Sequence, residues 1–88
     1  MKKNTLLENF LLSLGETVKK RRLELGLSQE ELAERCCIHR TYVSDIENGK
    51  RNFTFACLYK VAHGLDLKPL ELIEQARPPR SNWNRVQS

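Results

Sequence analysis

The chain has little with which to staple, span or catalyse. Three of its 88 residues are cysteines, an odd number, and two of them, Cys36 and Cys37, are adjacent and would strain badly if bridged to each other. That gives no disulfide framework and points to a reducing cytoplasm. No apolar run approaches the ~20 residues of a membrane span, so no membrane segment is expected. Met1-Lys2-Lys3 ahead of a leucine-rich stretch has the outline of a signal peptide, but Glu8 and Asn9 interrupt the apolar run and no clear small-residue cleavage site follows. There is no strand alternation, internal repeat or low-complexity tract. Neither His39 nor His63 has a paired serine, cysteine or carboxylate at a telling spacing, so no catalytic residue is expected. Cys36, Cys37, Cys57, His39 and His63 fit no standard zinc pattern, and neither metal nor cofactor is expected. A chain this short makes one domain and buries only ~60% of the surface its unfolded form exposes. That leaves little room for both a scaffold and a deep substrate pocket, and an enzyme is disfavoured.

Acidic residues are missing from one end. All 11 lie in residues 1–76, against 12 Lys and Arg there, while the last twelve residues add Arg77, Arg80 and Arg85 alone, for a formal net charge of +4. Basicity suits a polyanionic partner, although ordinary solubility would produce the same figure.

What is present centres on residues 29–48, QEELAERCCIHRTYVSDIEN. Ser28 can cap a helix, and Glu31 three residues later can reach back to its N–H, which is a capping box. Leu32 and Cys36 share a face four residues apart. The chain turns at Cys37, Ile38 and His39. Val43 and Ile46 form the apolar face of a second helix, and Gly49 is a natural left-handed stop. Ile38 supplies a plug and Ala33 a small residue at the crossing, which is what two helices at a fixed angle need.

The stretch GLSQEELAERCCIHRTYVSDIENGKR resembles the Cro and phage-repressor type of helix-turn-helix, the Xre family, over about residues 14–73. The resemblance implies an all-α, five-helix, lambda-repressor-like domain whose second motif helix enters the DNA major groove. It implies an Arg22–Glu47 salt bridge, with Arg22 on the apolar face of Leu14, Val18 and Leu25. Two departures bear on the turns. Cys37 stands where the family usually has glycine, at a cost of about 1 kcal/mol if left-handed, and Asp66 stands where glycine often ends the fourth helix.

Along the chain, residues 1–13 read as a helical extension carrying Leu6, Leu7, Phe10 and Leu11, for core cover or for a partner contact, and Gly15 is a possible break. The DNA-binding domain spans 14–76, with helices ending near Leu25 and at 28–36, 40–48, 55–63 and 69–75. Phe55, Leu58, Val61, Ala62 and Leu65 are expected to form the core face of the fourth. The run Lys19-Lys20-Arg21 reads as a solvated face. Residues 77–88 read as a flexible basic tail, with Trp83 unexplained.

Arg40, Thr41, Ser44 and Asp45 lie opposite Val43 and Ile46 and are the expected base contacts. The fork of Arg40 matches guanine O6 and N7. Asp45 accepts from a cytosine N4, orients Arg40 or excludes phosphates, three readings that stay open. Gln29, at a helix N-terminus, is an expected phosphate contact, with Asn48, Lys50, Arg51, Tyr42 and Asn52. Leu67, Leu70 and Ile73 are the expected dimer interface, since one motif reads too few bases alone.

The reading is a sequence-specific regulator that binds a palindromic operator in double-stranded DNA as a homodimer, acting through dimerisation, site spacing and steric or direct contact with RNA polymerase. Among small members of the class, the FLLS segment and RTYVSDIENGKRN lean weakly toward the controller proteins of restriction-modification systems. The alternatives are an antitoxin or protein-interaction module on the same fold, and a cysteine-based redox or metal sensor.

Overall fold

The computed structural model describes residues 5–76. The basic tail and Trp83 lie outside the described residues. Five helices follow one another: α1 (Thr5–Glu24), α2 (Gln29–Cys36), α3 (Arg40–Glu47), α4 (Phe55–Gly64) and α5 (Pro69–Ala76). No strand occurs among the described residues. α1 packs on α3 and α5, while α2 packs on α3 and α4.

Side chains cap the starts of α2 and α4. At α2 the Glu31 N–H donates to Ser28 Oγ at 3.0 Å and the Ser28 N–H donates to Glu31 Oε1 at 2.8 Å, so the capping box is complete. These bonds hold the Glu31 carboxyl below the usual carboxylate range. At α4 the Cys57 N–H donates to Thr54 Oγ1.

The ends share one device. After α1, α2, α3 and α4 the chain passes through a left-handed residue: Gly26, Cys37, Gly49 and Asp66, with φ of 72°, 59°, 69° and 58°. In each case the next N–H reaches back five residues to a helix carbonyl: Leu27 to Arg22, Ile38 to Ala33, Lys50 to Asp45 and Leu67 to Ala62. This is the Schellman arrangement, normally closed by an apolar residue against the helix. Leu27, Ile38 and Leu67 do pack on the core, whereas the third position holds an exposed lysine, Lys50.

The core is formed by Leu14 and Val18 of α1, Leu32, Ala33 and Cys36 of α2, Val43 and Ile46 of α3, Cys57, Leu58, Val61 and Ala62 of α4, Leu65 beyond it, and Leu72 and Ala76 of α5. α1 runs unbroken through Gly15, where a Cβ would lie 2.3 Å from the Ile46 carbonyl oxygen. Gly15 is thus a point of backbone contact between α1 and α3, and not a break. One expectation about an apolar face needs correction. Phe55 is 82% exposed and does not belong to the core face of α4; Cys57 does. On α5 the buried residues are Leu72 and Ala76; of the expected interface set only Leu70 is exposed, while Leu67 and Ile73 pack against the chain's own core.

Arg21 leaves the solvated run expected of it. Its Nε donates to the Leu65 carbonyl, and Arg35 Nη1 donates to the Gly64 carbonyl, so two cations sit on the otherwise orphaned end of α4.

Candidate nucleic-acid interface

α3 is an eight-residue helix with one buried and one open side. Val43, Ile46 and Glu47 face inward, and Arg40 and Thr41 are exposed, with Ser44 and Asp45 partly so. The short turn after α2 fixes where α3 begins, and Gly15 lets the last turn of α3 lie against the backbone of α1.

Beneath α3 lies an ion pair. Arg22 Nε donates to Glu47 Oε2 at 2.6 Å and Arg22 Nη2 to Glu47 Oε1 at 3.0 Å, a bidentate fork with side chains only 9% and 3% exposed. Arg22 Nη1 also donates to the Leu27 carbonyl. The bond to Glu47 raises the Arg22 guanidinium further above its ordinary range, so it stays charged. Gln29 completes the set by donating Nε2 to Glu47 Oε1 at 3.1 Å. The expected pair is therefore present, and it carries α2's first residue with it. That third member was not foreseen.

The loop after α3 gathers further candidates. Asn48 donates Nδ2 to the Ser44 carbonyl, which keeps its amide close to the helix end. Arg51 Nη2 donates to Asp45 Oδ2 at 3.0 Å, and its guanidinium lies over the Tyr42 ring, 4.5 Å from the centroid. Hydrogen bonding with Cys57 and then burial push the Tyr42 phenol above its ordinary value. Arg40 and Lys50, by contrast, make no ion pair or side-chain hydrogen bond among the described residues. Asn52, two residues past Lys50, is exposed. The surface thus places unpaired cations at the start of α3 and just past its end, with a paired one between α3 and the loop.

The thiols are placed differently. Cys36 is buried and its Sγ faces the Val61 carbonyl, and burial pushes it up to about 11. Cys57 is also buried, and Cys37 sits exposed on the turn. No group of three or more metal-ligating side chains occurs among the described residues.

Away from α3, an apolar groove of about 380 Å³ is lined by Leu7, Phe10 and Leu11 of α1, Phe55 and Leu58 of α4 and Ile73 of α5. Leu70 stands exposed on the same terminal helix. No helix among the described residues is long and apolar enough to cross a membrane.

Comparison with known proteins gives concordant matches. The helix-turn-helix family model HTH_3 matches residues 18–72. Control protein C.BamHI of Bacillus amyloliquefaciens is 40% identical over 67 residues, covering 75% of this chain and 83% of that protein. Control protein C.MunI of Mycoplasma sp is 46% identical over 59 residues, covering 66% and 80%. Among solved structures, the restriction-modification controller protein C.AhdI from Aeromonas hydrophila superposes with a TM-score of 0.68 at 39% identity, covering 70% of this chain and 94% of that one.

Proposed function

The chain belongs to the helix-turn-helix family HTH_3, a family of DNA-binding transcriptional regulators and not of enzymes, and from that premise we propose that it binds a palindromic operator as a homodimer and controls a restriction-modification system. The observation that carries the reading is the open face of α3, with Arg40 at its first turn and Lys50 just beyond its last, on a helix locked from below by Arg22 and Glu47.

Arg40, Thr41 and Ser44 are the proposed base contacts, with Asp45 at their edge. Arg40 offers two parallel donors, and guanine offers two parallel acceptors in the major groove. Gln29, Tyr42, Asn48, Lys50, Arg51 and Asn52 are the proposed phosphate set, which positions the protein without reading sequence. The proposed dimer face is α5 with Leu67, Leu70 and Ile73. Leu70 would lead it, and the half-buried pair would support it from the core side. Phe55 and the neighbouring groove extend the apolar surface. C.BamHI, C.MunI and C.AhdI support the controller assignment. Three free thiols suit a reducing cytoplasm.

The test is a binding series on single-base variants of the operator, located by footprinting upstream of the chain's own gene. Arg40→Ala should cost ~1–3 kcal/mol and relax preference at one base pair per half-site. Lys50→Ala should weaken all sequences about equally and flatten the salt dependence. For ~6 phosphates per dimer the wild-type log–log slope should be near −5. Binding that is flat with salt, or Arg40→Ala with its full base preference intact, would refute the assigned surface.

A further inference from the structure

Asp45 and Arg51 lie on opposite sides of the Gly49 turn, and the folded protein pairs them with each other. The 3.0 Å bond between Arg51 Nη2 and Asp45 Oδ2 joins side chains that are 47% and 30% exposed. The Tyr42 ring supports the guanidinium from below. One of the cations next to the reading helix is therefore already engaged by a carboxylate on that helix. Lys50, its chain neighbour, is not.

A half-exposed pair of this kind is weak and readily exchanged. A phosphate can take Arg51 from Asp45, but the exchange strands a carboxylate at the rim of a densely negative duplex. Like-charge repulsion then acts on Asp45 unless a donor takes the place of Arg51. In the major groove the base-edge amine donors are cytosine N4 and adenine N6. Every base pair carries one such amine, but its strand and position depend on sequence, so arbitrary duplex places it opposite Asp45 only by chance.

Resting on the DNA-binding reading above, we infer that Asp45 and Arg51 form an exchangeable pair that withholds Arg51 from arbitrary duplex and releases it to a phosphate where a base-edge amine takes over the Asp45 carboxylate. Asp45 then sets specificity by positioning Arg51 as much as by touching a base. The preceding helix end makes the pairing possible. The Lys50 N–H bond to the Asp45 carbonyl, 2.9 Å, folds the loop back over the last turn of α3 and brings residue 51 beside residue 45.

The experiment compares wild type, Asp45→Asn, Arg51→Ala and the double variant on two probes: a duplex carrying the footprinted operator and a random-sequence duplex of equal length. Each is titrated across a salt series, with thermal unfolding to confirm an intact fold. Asp45→Asn should tighten binding to random duplex on the order of two- to five-fold, the range expected of a weak exposed ion pair. Its salt slope on that probe should steepen by about 0.9 per protomer, one more phosphate neutralised. Operator binding should not tighten, so the ratio between the probes should fall. In the Arg51→Ala background the gain on random duplex should largely disappear. An equal gain in both backgrounds would show simple removal of negative charge and overturn the filter while leaving the DNA-binding reading standing. No gain on random duplex would overturn it as well. Absence of duplex binding by the wild type would overturn the parent reading and the filter together.

Discussion

Arg22 and Glu47 show what one buried pair does for a reading surface. Their fork spans α1 and α3, and Gln29 adds α2, so three elements meet on one carboxylate. Replacing a buried ion pair whole can be harmless, but removing one member strands the other. Glu47→Ala should lower stability by about 3 kcal/mol or more, read as a fall in Tm of roughly 10–20 °C for a domain of this size. Unchanged thermal unfolding would mean that the charge of Arg22 finds another partner. The pair was legible only through family resemblance, because an arginine on an apolar stripe announces a need and not its partner. The Asp45–Arg51 pair was not legible at all. Its members are six residues apart across a helix end, a separation that means nothing until the turn at Gly49 is built.

At the scale of the element, starts and stops were the readable part, because each is encoded within a few neighbouring residues. Ser28 with Glu31, and Thr54, announce their helices locally, and Gly26 and Gly49 end theirs. Faces were harder to read. Phe55 fits the apolar period of α4 but lies in its first turn, beyond the edge of the core. The stripe of Leu67, just ahead of α5, with Leu70 and Ile73 on it is conspicuous in sequence, yet Leu72 and Ala76, four apart, are the fully buried residues of α5. Apolar spacing marks a surface that seeks cover and cannot say whether the cover is internal. Two substitutions test the backbone. Gly15→Ala gains about 1 kcal/mol of helix propensity, but its Cβ would lie 2.3 Å from one α3 carbonyl oxygen and 2.8 Å from the next. Overpacking against backbone costs ~1–3 kcal/mol or more, so the variant should unfold at lower temperature. A stabilised variant would mean that α1 and α3 part easily. Cys37→Gly should do the opposite. The left-handed Cys37 carries about 1 kcal/mol of strain, and relief should outweigh the added freedom of the unfolded chain, about 0.4–1 kcal/mol, by at most a few tenths of a kcal/mol. Chemical denaturation measures the difference, and a loss of stability would place the strain elsewhere.

For the whole molecule, the proposed homodimer is tested at Leu70. Leu70 is 68% exposed on a helix whose other side is anchored by Leu72, so it can be altered without disturbing the fold. Leu70→Glu should yield folded monomers in sedimentation and lose tight operator binding, because one motif alone reads too few bases. Persisting dimers would move the interface to the groove beside Phe10 and Phe55. One feature of the fold bears on such pairs. Three of the four helix ends are closed by an apolar residue and the third by Lys50, yet the backbone bonds are the same. The Lys50 side chain takes no part in holding that turn, so position 50 can change its charge with the architecture unaffected. With Lys50 as the proposed phosphate contact, strength of grip on DNA and soundness of fold are separately heritable. In the proposed dimer, a subunit with Lys50→Glu should still fold and still pair, and should spoil the hold of a normal partner: a built-in route to dominant interference by a single codon.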